Sequence, residues 1–480
     1  MNDKQTSGII QHVNESGASS GACCNLKGNQ SLPGARSSQN DRTGIDLSAA
    51  IRYIAQSTLR AGREDHTRNP ATLEPVLWKC MKTRIMGFID QFAASPARHW
   101  MSTIIAFCLA NHILFAQVSR VWGDLKPGEY PVGFSVLQKY DTSRRWRDEE
   151  KGRPIQISIW YPAGDDGTAL PLTYRDYFLL SASELEFAEP SGEMKAAAVA
   201  KYEDLLVSNG IPRAAAESLF STRMYARPDI PVARGSFPLL IVAQGNFHSA
   251  HHQSILCEFL ASHGYVVATC PSQTRISGPM KSDEDLYHNV LEQSGDIAFV
   301  RKQVGDHFRI DDDRVGLVSH SFSARSALFY LADNKEVRAL VSLDGGIGNK
   351  QGKDFMNGKK GFDPGAIRAP LLHFYEDVES FMTPDFDLIN SLKNSDRFLI
   401  RVEQMNHAQF TGFGMAGGTI PGFSIKPEET RLKCEAIYNI TLRFLDAFVK
   451  DREVGAGEQF LKEIRQILPR EFMSISRLDH

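Results

Sequence analysis

VGLVSHSFSARSALFYLAD, residues 315–333, joins two hydrophobic patterns at one polar knot. Its first five residues form a short apolar run of the kind that makes a strand buried on both faces. From Ser323 to Asp333 the apolar residues recur at helical spacing. The same alternation repeats outward in both directions. Upstream, PLLIVAQG (238–245) is a buried-strand run ending in glycine, HHQSILCEFLASHG (251–264) a helix closed by Gly264, and YVVATCP (265–271) a further strand. NVLEQSGDIAFVRKQV (289–304) is helical. Downstream, VRALVSL (337–343), PLLHFYE (370–376) and RFLIRVE (397–403) read as strands, and ETRLKCEAIYNITLRFLDAFVK (429–450) as a long amphipathic helix. Short apolar strands alternating with helices predict an α/β fold with a mostly parallel central sheet covered on both faces. On such sheets ligands gather at the carboxyl ends of the strands.

The flanks differ. GEYPVGFSVLQKY, from Gly128, and IQISIWYP (155–162) surround a charged turn and predict an N-terminal antiparallel hairpin. Residues 174–227 carry helical spacing and predict a helical insertion, either a cap over a site or mere packing. The domain expected to hold the chemistry is 128–450, followed by a tail at 451–480. Residues 1–100 are a leader poor in aromatics, expected to be disordered because such a composition buries too little apolar surface to offset its ordering entropy. The segment 101–116 is apolar from Ser102 to Ala116 and free of formal charge, with Arg98, Lys82 and Arg84 upstream. Fifteen helical residues reach about 22 Å, short of a roughly 30 Å hydrocarbon core. The run therefore reads as a secretory signal ending at Ala116, with Met81, Met86 or Met101 as the start and a mature chain from near Gln117. That implies a periplasmic or secreted protein. The alternatives are an anchor, or a core helix in a cytoplasmic protein.

Composition excludes some classes. Of 480 residues, 42% are hydrophobic and 23% charged, which is ordinary for a globular protein. A net charge of −3 gives no basic balance for nucleic acid. Seven cysteines without C-x-x-C pairing are too few to staple so long a chain.

The chemistry is expected at the knot, Ser319-His320-Ser321-Phe322-Ser323. A sharp strand-to-helix turn lifts a serine hydroxyl above the sheet, and small residues two positions away on either side let the backbone crowd in. The usual form is G-x-S-x-G; here both glycines are serines. A serine-rich strand end is common by itself, so the weight lies on its place between a buried strand and a helix. Ser321 as nucleophile needs a base, and the base an orienting acid. His407, in the loop after the last strand run, follows in the right chain order. Two acids qualify: Asp344, at the end of VRALVSL, is preferred, and Asp377, one strand later, is the alternative. The oxyanion hole falls to the backbone N–H groups of Phe322 and Asn246. His248, His251 and His252 lack a clustered carboxylate or cysteine partner, so they read as a polar lip, and no metal is expected.

Together these pieces resemble the platelet-activating-factor acetylhydrolase family of α/β-hydrolases, which shades into dienelactone-hydrolase-like esterases. The resemblance runs from about Gly128 to Lys450 and rests on YPVGF, IWYP, FPLLIVAQGN, FLASHGYVVATC, DIAFV, VGLVSHSFSARSAL, ALVSLDG and MNHAQF. It implies an α/β-hydrolase fold and a cofactor-free serine esterase cutting short-acyl or lipid-like esters. It also places the acid at Asp344. The expected partner is a small-molecule ester or lipid, with room for transient contact with a membrane surface; the sequence sets no oligomeric state. Gln244-Gly245-Asn246 departs from the family's usual His-Gly pair, which bears on substrate preference. Two rivals stand beside the esterase: a non-catalytic binding protein of the same fold, and a serine hydrolase of amides or peptides.

Overall fold

A computed structural model describes residues 119–147, 151–164, 169–278, 280–451 and 453–478. The leader 1–100 and the apolar segment 101–116, with the maturation point near Gln117, lie outside the described residues. Within them, no helix is long and apolar enough to cross a membrane.

Among the described residues ten strands form one sheet: β1 (Val132–Asp141), β2 (Arg153–Pro162), β3 (Arg227–Pro228), β4 (Phe237–Ala243), β5 (Val266–Thr269), β6 (Ile310–His320), β7 (Val337–Leu343), β8 (Leu371–Tyr375), β9 (Arg397–Val402) and β10 (Met473–Leu478). Their order is β10-β9-β8-β7-β6-β4-β5-β2-β1-β3. The central strands β5, β4, β6, β7, β8 and β9 are parallel, while β1–β2, β2–β5 and β9–β10 pair antiparallel. This is the α/β-hydrolase arrangement, with the antiparallel hairpin at one side.

The apolar runs are strands because both of their faces are covered. Every residue of β4 is buried. Leu240 and Val242 enter the core on one face, and Leu239, Ile241 and Ala243 that on the other. β7 divides likewise, with Ala339, Val341 and Leu343 against Leu340. Between the strands run the helices α1 (Tyr174–Leu179), α2 (Gly192–Ser208), α3 (Arg213–Phe220), α4 (Ser254–Ser262), α5 (Asp283–His307), α6 (Ser323–Asp333), α7 (Pro427–Leu445) and α8 (Ala456–Ile467). Asp296 of α5, from the DIAFV motif, is fully buried beneath the hairpin. It accepts two hydrogen bonds of 2.8 Å from the Arg153 guanidinium and a third, of 2.7 Å, from Arg144. A buried carboxylate tolerates desolvation only when paired and hydrogen-bonded in this way.

Two boundaries differ from expectation. Within the expected tail 451–480, the described residues 453–478 are packed: α8 sends Phe460, Leu461 and Ile464 into the core, and β10 extends the sheet beyond β9. Packing also begins before Gly128, because Val121 and Trp122 are fully buried and the Trp122 indole N–H donates to Glu258 Oε2 at 3.2 Å. The piece before Gly128 is too short to show a period, but α8 does carry one, with Phe460, Ile464 and Ile467 at helical spacing. The insertion 174–227 contains α1, α2 and α3.

Candidate active site

The loops that leave the carboxyl ends of β4, β6, β7, β8 and β9 carry Asn246, Ser321, Asp344, Glu376 and His407 in turn. Strain gathers along that edge. Among the described residues, Phe247, Ser321, Asp344 and Gln404 are four of the six non-glycine residues with positive φ, at 59°, 58°, 45° and 50°. Such backbone costs on the order of 1–3 kcal/mol per residue and persists where the surroundings over-determine it.

At Ser321 those surroundings are explicit. Its N–H donates to Leu343 O at 3.3 Å, and its carbonyl accepts from Gly346 N–H at 2.8 Å. The serines that replace the two elbow glycines also hold the turn. Ser319 Oγ donates to Val341 O at 3.2 Å. Ser323 Oγ lies 2.7 Å from Ala243 O and 2.9 Å from His320 O, and accepts from His320 N–H at 3.1 Å. Both side chains are fully buried, so each hydroxyl satisfies in place the polar requirement it brings.

His407 Nε2 lies 2.8 Å from Ser321 Oγ, and its Nδ1 lies 2.5 Å from Asp344 Oδ2. A carboxylate only accepts, so Nδ1 carries the ring proton and Nε2 is left to receive one from the serine. Asp344 is buried; its other oxygen accepts the Glu376 N–H at 3.3 Å. Gly345 and Gly346 let this turn close, since a Cβ at Gly345 would stand 2.5 Å from Ala324 Cβ. Asp377, the alternative acid, is elsewhere: its carboxylate is partly exposed and pairs with the Arg401 guanidinium at 2.7 Å. Residue 377 falls one past the buried Glu376, in the bend that follows β8.

Of the expected oxyanion donors, Phe322 directly follows Ser321 and Asn246 lies in the loop that leaves β4, the strand beside β6. Phe322 opens α6, where the helix dipole favours negative charge. Asn246 follows Gly245, whose close approach explains the glycine: a Cβ there would lie 2.7 Å from His320 Nδ1 and 3.1 Å from Ser321 Cβ.

The histidines are not a lip. His251 and His252 are buried and His248 half-buried. The rings of His252, His248, His320 and His407 follow one another at centroid spacings of 3.7, 5.1 and 4.8 Å. Tyr202 of α2 bonds His252 Nε2 at 2.7 Å, and Tyr174 of α1 donates to His251 O at 2.8 Å. The insertion thus braces the segment that follows Asn246. Among the described residues no group of three or more His, Cys, Asp or Glu is placed to hold a metal.

Burial holds the imidazoles of His251, His252 and His320 well below their usual range, and pushes His373 down to about 3. These groups are neutral when folded and titrate near 6.5 when unfolded. Their stabilisation is therefore complete above about pH 6.5 and declines as pH falls toward the folded values. Each forfeits up to about 1.4 kcal/mol per pH unit in that window. Burial lowers His248 and His263 as well, and raises Glu258 and Glu376, which act in the opposite sense but are two against six. The melting temperature should hold steady between pH 7 and 8 and drop steeply from 6.5 to 5. A melting temperature unchanged at pH 5 would mean that these histidines take up protons without leaving the core.

Sequence reasoning missed Glu376 and Glu379. The available signal was three carboxylates in YEDVES directly after a strand. Glu379 Oε2 accepts the backbone N–H of His407 at 2.6 Å.

The sequence matches no family model and no curated protein. Among solved structures the chain is similar to a ferulic acid esterase from Streptomyces cinnamoneus, at 18% identity and a TM-score of 0.48, over 70% of this chain and 96% of that one.

Proposed function

We propose that this protein is a serine hydrolase that cleaves carboxylic esters through an acyl-enzyme on Ser321. The observation that carries the reading is the continuous chain of hydrogen bonds from Ser321 Oγ through His407 to the buried Asp344. His407 Nε2 takes the hydroxyl proton as Oγ adds to the ester carbonyl. Asp344 holds the ring in the correct tautomer and stabilises the imidazolium. The tetrahedral oxygen turns to the N–H groups of Phe322 and Asn246. Collapse returns the proton from Nε2 to the departing alkoxide. Water, activated by the same nitrogen, then releases the acid and restores Ser321.

A binding protein of this fold would have no use for a left-handed serine held from both sides. The substrate side supports an ester with an apolar part, lipid-like or short-acyl. Phe381 lies edge-on to the His407 ring at 5.5 Å and is 42% exposed, and Phe247, beside Asn246, is 36% exposed. Large exposed apolar side chains next to a polar reacting centre provide the apolar lining that small-molecule sites use.

Treatment with a fluorophosphonate probe should attach one phosphonyl group per chain, on the peptide that contains Ser321. Folded protein that takes up no probe, or takes it up on another serine, would defeat the proposal.

A further inference from the structure

Behind β8 the chain places Glu376, Asp377 and Glu379 within four residues, and their contacts diverge. Asp377 faces Arg401. Glu376 Oε2 accepts the backbone N–H of Val378 and, at 2.9 Å, that of Glu379, which curls the loop back on itself. The Glu376 N–H reaches Asp344 Oδ1. Glu379 reaches the other way, to the His407 N–H at 2.6 Å, and Phe381 packs its edge against the His407 ring. One short segment, 376–381, therefore contacts both the acid and the base.

His407 needs such a hold. It begins a single 3-10 turn, His407–Phe410, three residues after the strained Gln404. Its carbonyl meets His320 Nε2 only at 3.3 Å. The bond from Glu379 is the shorter of the two and is charge-assisted, a class roughly twice as strong as neutral pairs. Displacing a catalytic group by about 1 Å can cost about 10²-fold in rate.

We propose that Glu379 is a positioning residue for the hydrolysis: its carboxylate fixes the His407 backbone so that Nε2 meets Ser321 while Nδ1 meets Asp344. The inference rests on the Ser321 reading given above.

The test compares Glu379→Ala with Glu379→Gln in the full chain, since glutamine keeps both the reach and an acceptor oxygen. In Glu379→Ala, kcat for p-nitrophenyl acetate should fall about tenfold to hundredfold, the scale of displacing a catalytic group by up to about 1 Å. KM should change little, fluorophosphonate labelling should slow in step with kcat, and the melting temperature should stay at the wild-type value. Glu379→Gln should recover most of the lost rate. A wild-type kcat in Glu379→Ala overturns the inference. Equal losses in both variants, or a loss matched by a lowered melting temperature, overturn it as well. If wild-type protein takes up the probe and Glu379→Ala behaves like it, only this inference fails; if wild-type protein takes up none, the Ser321 reading fails first.

Discussion

Ser321→Ala should lower kcat for p-nitrophenyl esters by about 10⁵- to 10⁶-fold, on the scale seen when a serine nucleophile is removed from a triad. The change deletes one oxygen and leaves the turn in place. The bonds that fix residue 321 run through its backbone, to Leu343 O and from Gly346 N–H, and alanine keeps both. The elbow hydroxyls of Ser319 and Ser323 are untouched. Thermal melting should therefore overlay that of the wild type, and the comparison is one of chemistry alone. Residual turnover would come from the oxyanion donors and from binding. A folded variant that keeps most of its rate would remove Ser321 from the reaction.

The second large effect concerns the acid. Asp344→Asn should cost about 10⁴-fold in kcat, or roughly 5 kcal/mol of transition-state stabilisation. Asparagine is nearly isosteric, but its amide N–H₂ can face Nδ1 and impose the opposite tautomer. His407 Nε2 would then carry a proton and could not accept one from Ser321. Asp377→Asn is the control. Its carboxylate meets Arg401 near the surface, and exposed pairs of this kind contribute about 0.2–1 kcal/mol to stability. The kcat of Asp377→Asn should stay near wild type. The reverse pattern, with Asp377→Asn inactive and Asp344→Asn active, would move the acid one strand along the sheet and leave Ser321 and His407 in their roles.

The central sheet was legible because its strands are buried on both faces, which writes them as apolar runs: LLIVA in β4, VGLV in β6 and ALV in β7. Chain order then pointed to the loops at one edge, where the structure brings Ser321, His407 and Asp344 within hydrogen-bond reach. What escaped the sequence depends on contacts between distant segments. β10, MSISRL, is a partly exposed edge strand whose pairing with β9 depends on α8 turning the chain back. The histidines after Asn246 look like surface residues until Tyr174 and Tyr202 of the insertion cover them. The division of labour among Glu376, Asp377 and Glu379 is set by which way each faces, and adjacent residues in a sequence do not reveal that.

The elbow serines have a consequence in the denatured chain. A glycine there would sample many backbone states that serine cannot, and folding would have to remove them all. Neither Ser319 nor Ser323 lies in the left-handed region, so serine is accommodated without backbone strain. Replacing glycine at such compatible positions stabilises a protein by about 0.4–1 kcal/mol each. Two of them together offset part of the roughly 1–3 kcal/mol that left-handed backbone costs a residue such as Ser321. The turn is strained once formed, yet it starts from an unfolded ensemble that has less freedom to give up.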